Sequence, residues 1–365
     1  MKLSRVIAAL EHHFNHVLVH SGQNYDYELN QVFFDELGIR PPDHLLGAVG
    51  ATVAETIGQV ISRFDQILEL ETPDAVLIYG DTNTCLGVIA AKRRKIPIFH
   101  MEAGNRSFDQ RIPEELNRKV VDHLSDVNMT NSEHARRYLL AEGMRPDLIV
   151  KTGSPMKEVL AYYAPQVENA RAVESHGLRR GQYLLVSAHR EETVDVPSKL
   201  FDLLESLTAI QAHFDQPVLV STHPRTWRRL TEAGLKVDST CDAAIRFLRP
   251  FGFFDYISLQ KNAFCVLSDS GTLTEEASLL GFPAVMLREA HERPEGMDGG
   301  VVPFSGVKRE RVLQAIQLAT DQPEQMSCRP LLDYTVDDVS RIVSNTILSY
   351  VDYVNRVVWL RQPLP

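Results

Sequence analysis

The sequence lacks most of the features that mark membrane, disulfide-stabilised and nucleic-acid-binding proteins. No apolar run approaches the roughly 20 residues that cross a bilayer. Acidic residues outnumber Lys and Arg, 48 against 38, and the net charge of −10 argues against general nucleic-acid binding without excluding a local basic pocket for a small anion. The cysteines favour reduced thiols in a cytoplasmic protein, because their spacing does not suit a metal; they are Cys85, Cys241, Cys265 and Cys328.

The sequence also contains no internal repeat and no low-complexity segment. What it does contain is an alternation of short apolar runs with segments of helical periodicity. The runs at 74–81, 96–101, 183–187 and 264–268 have the length and composition of strands that are buried on both faces of a sheet. This alternation predicts an α/β fold with parallel sheets, and 365 residues suit two domains better than one core.

The alternation restarts after residues 152–155, which predict a hinge between the two domains. We expect the first domain over 1–154, the second over 155–345, and a C-terminal helix over 346–365 that returns to the first domain. The chain opens with a helix, whereas a doubly wound domain normally opens with a buried strand. The first domain therefore lacks a strand that this fold class leads us to expect.

The densest group of charged residues follows the buried run at 96–101. Glu102 and Arg106 come directly after this run, and Glu114 and Arg118 lie at the start of the next predicted helix. Because ligands of open parallel sheets bind beyond the carboxyl ends of the strands, we expect these side chains to line a site. A surface loop with ordinary ion pairs is the competing interpretation.

Asp81 ends the preceding buried run, so three carboxylates, Asp81, Glu102 and Glu114, are expected to converge. Carboxylates that share a cleft push their pKa values apart, which gives one site both an acid and a base. A metal ion would also suit such a set, but neither a histidine pair nor Asp-x-Asp spacing accompanies it. The pattern therefore favours acid–base chemistry over a metal site.

Residues 269–276 follow another buried run and open a helix, an arrangement that predicts an anion site. The backbone N–H groups of Ser270, Gly271 and Thr272, together with the helix dipole, suit a diphosphate. Glu276 lies about one turn further on, within reach of a sugar diol. The competing interpretation is that Asp269 simply caps the helix.

Further positions in the second half add to this anion site. His189 and Arg190 follow the run at 183–187. At this position His189 suits a ligand or an acid–base residue, and Arg190 suits a phosphate clamp. A lone histidine at a strand end is more often structural, and we assign a structural or indirect role to His223. Tyr256 belongs to an aromatic segment that offers rings for base stacking, although helical aromatics are usually part of the core.

Three groups of residues are more specific than these separate signals. They are Tyr79-Gly-Asp-Thr82; His100-Met-Glu-Ala-Gly-Asn-Arg106 with Pro113-Glu-Glu-Leu-Asn-Arg118; and Ser268-Asp-Ser-Gly271 with Glu275-Glu276 and Glu292-Arg-Pro-Glu295. With them the chain, from Lys2 to its last helix, resembles the non-hydrolysing UDP-N-acetylglucosamine 2-epimerase family. The resemblance implies two Rossmann-like domains of the glycosyltransferase-B type, with the active site in the interdomain cleft.

The resemblance also implies an isomerase that uses no cofactor and no metal. Such an enzyme inverts C2 of a UDP-2-acetamido sugar by anti elimination of UDP and re-addition through a 2-acetamidoglucal. Asp81, Glu102 and Glu114 match the family's acid–base carboxylates, and His189 matches the histidine near the diphosphate; which carboxylate is base and which is acid stays open. The predicted substrate-binding residues are Lys2, Arg118, Arg190, Tyr256, Ser270, Gly271, Thr272 and Glu276.

Two departures from the family pattern bear on activity. The family's opening strand and its Gly-Thr-Arg-Pro-Glu-like loop are absent, so we expect an N-terminally truncated chain that is destabilised and weakly active. Residues 22–30 replace the segment that lines the allosteric site of the plain bacterial enzymes, which argues against activation by UDP-N-acetylglucosamine. These residues and 108–111 look more like the branch that makes UDP-N-acetyl-L-fucosamine from UDP-2-acetamido-2,6-dideoxy-L-talose.

Two other functions fit the same fold class. A glycosyltransferase would need an acceptor pocket and at most one base, which the three carboxylates argue against. A catalytically silent UDP-sugar binder would keep the second-half site without turnover. The resemblance favours the epimerase, acting on a UDP-sugar for capsule or O-antigen synthesis, as a cytoplasmic homodimer without nucleic-acid or membrane partners.

Overall fold

The computed structural model describes residues 1–22, 31–234, 243–290, 293–321 and 330–361. Contacts between residues divide the chain into two compact units. Unit 1 comprises the described residues of Met1–Asp26, Leu37–Val159 and Leu332–Pro365. Unit 2 comprises the described residues of Tyr27–Glu36 and Leu160–Leu331. The boundaries of the domains that we expect from the sequence stay predictions.

Successive strands of the described chain are separated by one to three α-helices. Up to residue 187 they are α1 (Ser4–His13), β1 (Val19–His20), α2 (Gln31–Glu36), β2 (His44–Leu45), α3 (Val53–Glu71), β3 (Val76–Tyr79), α4 (Val88–Arg93), β4 (Ile98–Met101), α5 (Pro113–Leu124), β5 (Val127–Thr130), α6 (Glu133–Ala141), β6 (Ile149–Lys151), α7 (Met156–Tyr162), α8 (Ala164–Asn169), α9 (Ala172–Ser175) and β7 (Leu184–Ser187). They continue with α10 (Glu191–Val194), α11 (Pro197–Phe214), β8 (Val218–Ser221), α12 (Pro224–Glu232), β9 (Ile245–Leu248), α13 (Phe253–Asn262), β10 (Cys265–Ser268), α14 (Thr272–Leu280), β11 (Ala284–Met286), α15 (Pro294–Asp298), α16 (Arg309–Thr320) and α17 (Val339–Val357).

Unit 1 is built on a parallel sheet with the strand order β3-β4-β5-β6, and β1 and β2 form a separate parallel pair. Every residue of β4 and β5 is buried, as expected for inner strands of a parallel sheet that is covered on both faces. Phe99 and Met101 pack with residues of α1 and α17 on one face, and Ile98 packs with residues of α4 on the other. Because Tyr79 pairs with Met101, the carboxyl ends of β3 and β4 lie side by side.

Unit 2 is built on a five-stranded parallel sheet with the order β11-β10-β7-β8-β9. Leu184 and Val186 contribute to a core with α11 and α16, whereas Leu185 contributes to a second core with α13 and α14. This alternation is the two-residue period of a strand buried on both faces. The central position of β7, between β10 and β8, brings three carboxyl strand ends together at one edge.

The structure departs from the sequence prediction in the first half of the chain. The sequence predicts a strand over 16–22, but only β1 forms there. It also predicts one helix over 82–94, whereas the structure has a 3-10 turn at Asn83–Gly87 before α4. A β-carbon at Gly87 would lie 2.9 Å from the ring of Phe64, so the absence of a side chain there lets α3 pack closely on this turn.

Other differences concern helices with weak sequence signals. The sequence does not predict α6 to α10 or α15, because four to nine residues are too few for a helical repeat of apolar positions to stand out. The sequence also predicts a helix over 26–37, which lies partly outside the described residues; its described part is α2. The parallel α/β architecture itself agrees with the sequence prediction.

The described part of the chain contains no helix long and apolar enough to cross a membrane. Cys85 and Cys265 are buried and carry free thiols. Burial raises the pKa of both thiols well above the ordinary value, so they are poor nucleophiles. Cys241 and Cys328 lie outside the described residues.

Candidate active site

The first group of predicted site residues lies at the carboxyl ends of β3 and β4 in unit 1. Both strands end in a turn with left-handed backbone: Gly80 has φ +73° and Glu102 has φ +65°. A left-handed conformation is strained for a glutamate, which points to a site where the surroundings hold it. A β-carbon on Gly80 would lie 3.8 Å from Oε2 of Glu102, so the turn that carries Asp81 adjoins the Glu102 carboxylate. The Lys2 ammonium is buried and lies 3.5 Å from Oε1 of Glu102.

Helix α5 brings two more predicted residues to this edge of the sheet. Arg118 donates from Nε to Oδ2 of Asp81 at 2.7 Å. Glu114 lies in the first turn of α5, where Pro113 starts the helix and acidic residues are favoured. Its half-buried side chain makes no hydrogen bond or ion pair with any residue that the structure describes. The structure therefore places Asp81, Glu102 and Arg118 together, and it leaves the Glu114 carboxylate available to a ligand.

Glu115, which the sequence did not single out, organises the loop before α5. Its side chain is fully buried and accepts hydrogen bonds from Ser107 N at 2.9 Å, Ser107 Oγ at 3.0 Å and Phe108 N at 3.2 Å. Nη1 of Arg118 donates to the same carboxylate at 3.2 Å. Two adjacent glutamates thus have opposite environments, and the sequence alone contains no signal that tells them apart.

Arg106, expected at this site, lies elsewhere. Its side chain is fully buried and pairs with Asp122 and with Glu142, each at 2.7 Å. Burial opposes its charge, but the Glu142 hydrogen bonds and the Asp122 charge outweigh burial and raise the pKa of the guanidinium. The expectation that Arg106 lines the site with Glu102 was wrong because the turn at Gly104, with φ +81°, directs the chain under α5 and α6.

Gly104→Ala is expected to destabilise the folded chain by several times the cost of Gly143→Ala. Both glycines have left-handed backbone, φ +81° and φ +86°, which alone costs alanine about 1–2 kcal/mol. A β-carbon at Gly104 would also lie 2.4 Å from the carbonyl oxygen of Ala135, whereas at Gly143 it would meet nothing within 4 Å. Urea unfolding of both variants measures the difference, and equal losses would contradict the packing described for this turn.

The second group of predicted residues surrounds a cavity of about 170 Å³ in unit 2. The cavity opens at the carboxyl ends of β7 and β8 and beside the start of α14. Four of the predicted site residues contribute to its wall, namely His189, Tyr256, Ser270 and Thr272. The rest of the wall consists of Ser187, Ser221, His223, Pro250 and Phe251.

The loop before α14 does not have the helix cap that one interpretation of the sequence assigned to Asp269. Gly271 occupies the N-cap position, and Asp269 does not cap the helix. Instead Oδ2 of the fully buried Asp269 accepts from the backbone N–H groups of His189 at 2.7 Å and Arg190 at 2.8 Å. The capping interpretation was wrong because the carboxylate points toward the loop after β7. Ser270 and Thr272, 3.0 Å apart at their hydroxyls, border the cavity at the start of α14.

Asp269 also holds the side chain of His189. Its Oδ1 lies 3.0 Å from Nδ1 of His189. Burial would raise the pKa of Asp269, but the facing His189 and the two backbone N–H donors outweigh burial and lower it. The carboxylate is therefore ionised and favours an Nδ1–H tautomer of His189, which directs Nε2 away from the carboxylate.

His223 takes part in the cavity wall, whereas we expected a structural or indirect role. Its ring stacks on that of His189, with centroids 5.4 Å apart, and its Nδ1 accepts from the backbone N–H of Arg225. The two histidines occupy equivalent positions after paired strands, because Val186 pairs with Val220. This equivalence, Ser187-Ala-His189 against Ser221-Thr-His223, is the sequence signal that indicates His223.

Tyr256 and Glu276 lie close to each other beside the same cavity. Burial raises the pKa of the Tyr256 phenol, and the Glu276 carboxylate raises it further. Glu276 is 3% exposed and accepts from Nε2 of Gln260 at 2.6 Å. The hydrogen bond between α13 and α14 thus fixes Glu276 one turn from Thr272, the distance at which the sequence predicts a contact with a sugar diol.

Residues 8–346, more than nine-tenths of the chain, match the family model described as UDP-N-acetylglucosamine 2-epimerase. The chain belongs to this epimerase family. The family resemblance predicted from the sequence is therefore confirmed, and so is the enzyme class, an isomerase that epimerises UDP-sugars.

Several solved or curated members of the epimerase family are similar to the chain. The structure of UDP-N-acetylglucosamine 2-epimerase from Rickettsia bellii has 51% identity and a TM-score of 0.90, covering 99% of this chain and 96% of that one. The Methanocaldococcus jannaschii enzyme in complex with UDP-GlcNAc and UDP has 32% identity and a TM-score of 0.88, covering 96% of each chain. The UDP-2,3-diacetamido-2,3-dideoxy-D-glucuronate 2-epimerase of Pseudomonas aeruginosa is 32% identical over 302 residues, 82% of each protein.

These neighbours confirm the predicted fold class, an α/β protein with two Rossmann-like domains of the glycosyltransferase-B type. The roles of the individual site residues stay predictions. What the structure adds to them is geometry: acidic residues and Arg118 at the sheet edge of unit 1, and a cavity with paired histidines in unit 2.

Proposed function

We propose that the chain inverts C2 of a UDP-2-acetamido sugar by anti elimination of UDP and re-addition through a 2-acetamidoglucal. The observation that carries this proposal is the group of carboxylates in unit 1. Asp81 and Glu102 end neighbouring strands, and the Glu114 side chain in α5 makes no hydrogen bond with the described residues. Acid–base chemistry at a carbon needs such groups within hydrogen-bond reach of the proton that moves.

In the proposed reaction a carboxylate removes the C2 proton, and the electron pair of the C–H bond forms the C1–C2 double bond. The C1–O bond breaks at the same time, and its electron pair leaves with UDP. A second carboxylate, in its acid form, then returns a proton to the other face of C2 while UDP oxygen adds back to C1. Asp81, Glu102 and Glu114 supply these groups.

In the same proposal unit 2 holds the nucleotide. The N–H groups at the start of α14, near Ser270, Gly271 and Thr272, bind the diphosphate with help from Arg190. His189, oriented by Asp269, stabilises the negative charge of UDP as it leaves. Tyr256 lies at the base and Glu276 at the ribose. The UDP and UDP-GlcNAc bound in the Methanocaldococcus jannaschii structure support a nucleotide-sugar ligand.

Lys2 and Arg118 balance the charge of the acidic group. Lys2 lies 3.5 Å from Glu102, and Arg118 lies 2.7 Å from Asp81. We propose that both side chains also contact the substrate, because they pair with carboxylates that would act on C2.

The substrate class rests on the chain's similarity to enzymes for UDP-acetamido sugars. UDP-N-acetylglucosamine is the first candidate, given the names of the similar enzymes from Rickettsia bellii and Methanocaldococcus jannaschii. UDP-2-acetamido-2,6-dideoxy-L-talose is the second, because of residues 22–30 and 108–111. Residues 23–30 lie outside the described part of the chain, whereas Phe108 is exposed and packs edge-on against Tyr138. Homodimer assembly and a role in capsule or O-antigen synthesis stay predictions.

The experiment that tests the proposal offers each UDP-sugar to the purified chain without an acceptor, a metal or a redox cofactor. The proposal predicts that one of them reaches an equilibrium with its C2 epimer. Chromatography of the nucleotide sugars measures this conversion. Turnover only after an acceptor is added would favour a glycosyltransferase instead. UDP binding without turnover would favour a silent UDP-sugar binder.

A further inference from the structure

His100 is a buried histidine for which the proposed reaction gives no role. It lies in β4, two residues before Glu102, and is 1% exposed. Its Nε2 lies 2.9 Å from the carbonyl oxygen of Gly80, and its Nδ1 lies 2.8 Å from Oδ1 of Asp122. A carbonyl oxygen can only accept, so Nε2 carries a proton and donates it to Gly80.

Asp122 accepts from several donors at once. Besides His100, the Gly104 N–H lies 3.1 Å and Nη1 of Arg106 lies 2.7 Å from its Oδ2. Burial would raise the pKa of Asp122, but His100 and Arg106 outweigh burial and lower it. Both oxygens of Asp122 are therefore engaged, Oδ1 by His100 and Oδ2 by Gly104 and Arg106. Through Arg106 the group extends to Glu142.

The two ends of this pair contact the two turns of the candidate active site. The Gly80 carbonyl belongs to the peptide that leads into Asp81, and the Gly104 N–H lies two residues after Glu102. Gly80 and Gly104 both have left-handed backbone. The pair therefore ties the backbone before one proposed catalytic carboxylate to the backbone after the other, through two side chains that solvent does not reach.

We propose that His100 and Asp122 form a positioning pair that holds the turn carrying Asp81 in register with the turn carrying Glu102. The inference rests on the proposed function, in which both carboxylates serve C2. Proton removal and proton return on opposite faces of one carbon require the two groups at fixed positions. A displacement of about 1 Å at such a site can cost about 100-fold in rate.

His100→Asn tests the pair, with His123→Asn as the matched control. His123 adjoins Asp122 in α5 and contacts the outer end of the same network, with Nε2 3.1 Å from Glu142, but its side chain is 51% exposed. We expect kcat to fall by about 100-fold or more in His100→Asn, with the Kd for UDP within about twofold of that of the unaltered chain. His123→Asn should leave both values within about twofold.

A second readout separates positioning from a general structural role. With the turns out of register, the C2 proton still exchanges but returns to the face that it left. The experiment measures, in D2O, the ratio of deuterium at C2 of the recovered starting sugar to the amount of epimer formed. This ratio should therefore be higher for His100→Asn than for the unaltered chain. Asp122→Asn is the second variant, in case His100→Asn does not fold, and should show the same pattern. Unaltered kcat and exchange in either folded variant would overturn the proposal.

Nitrogen NMR of the histidine rings in the unaltered chain tests the pair without reference to catalysis. The proposal predicts that Nε2 of His100 carries a proton, because it donates to the Gly80 carbonyl oxygen. The signal is assigned by its loss in His100→Asn or by its coupling to the backbone. A bare Nε2 would overturn the proposal. If no UDP-sugar reacts with the unaltered chain, the proposed function has failed, and this measurement alone then decides on the pair.

Discussion

Glu114→Gln is expected to lower kcat by about 10²–10⁴-fold, the range that general acid–base groups contribute. The carboxylate makes no hydrogen bond with the described residues, so removing its charge takes away a reactive group and leaves the packing of α5 intact. The thermal midpoint and the Kd for UDP should stay unchanged, since the cavity that we propose for the nucleotide lies in unit 2. Steady-state kinetics and UDP calorimetry on the same preparation measure these quantities.

Glu115→Gln, one residue on, is the control for this prediction. Glu115 is fully buried, and its carboxylate accepts hydrogen bonds from Ser107, Phe108 and Arg118. Removing one partner of a buried pair typically costs about 3–5 kcal/mol of stability. Urea unfolding should thus show a large loss for Glu115→Gln and almost none for Glu114→Gln. If Glu114→Gln retained full activity, or lost stability as Glu115→Gln does, the assignment of Glu114 as a reactive group would be wrong.

Asp269→Asn is expected to weaken UDP binding by about tenfold or more and to destabilise unit 2. The buried carboxylate accepts two backbone N–H groups and faces His189, and an amide nitrogen would oppose these donors. Leaving such groups unpaired costs about 1–3 kcal/mol each. Asp195→Asn is the control in the same unit, because Asp195 pairs with Arg229 at a half-exposed position where ion pairs contribute about 0–1 kcal/mol.

The same substitution should change how stability depends on pH. The pKa of Asp269 is lower in the folded chain than in the unfolded chain. Its contribution is therefore fully present above the unfolded value of about 4 and is lost as the pH falls toward the folded value. Urea unfolding should show a gap between the unaltered chain and Asp269→Asn at pH 7 that narrows below about pH 4. A gap that widens with acid would contradict the ionised state of Asp269.

Much of the fold could be predicted because buried strands have a strong local signal. The runs at 183–187 and 264–268 begin one residue before β7 and β10 and end at the same residues as these strands. The carboxyl ends of buried strands in turn indicate where site residues lie, which is why Asp81 and Glu102 emerge at neighbouring strand ends. The short helices were missed because four to nine residues are too few to show a helical repeat, and no local pattern distinguishes the 3-10 turn at Asn83–Gly87 from the first turns of α4.

The contacts inside the site depend on how loops close, which no local pattern contains. Glu114 and Glu115 are adjacent residues of the same type, and the sequence does not show that the loop at Ser107 lies against Glu115. Asp269 has the sequence of a helix cap, yet the loop after β7 supplies its donors. His100 and Asp122 are 22 residues apart and meet only because α5 packs on the sheet. Such pairings become visible once the strands and helices are in place.

The most direct test of the proposed chemistry is proton NMR of the reaction in D2O, with UDP-N-acetylglucosamine and the L-talo sugar as substrates. The elimination and re-addition account predicts that the C2 proton signal of the product is absent from the first turnover, because solvent deuterium enters C2 when the epimer forms. Epimer that retains its original C2 hydrogen would contradict the account, since the hydrogen would then have moved without passing through an exchangeable carboxyl group.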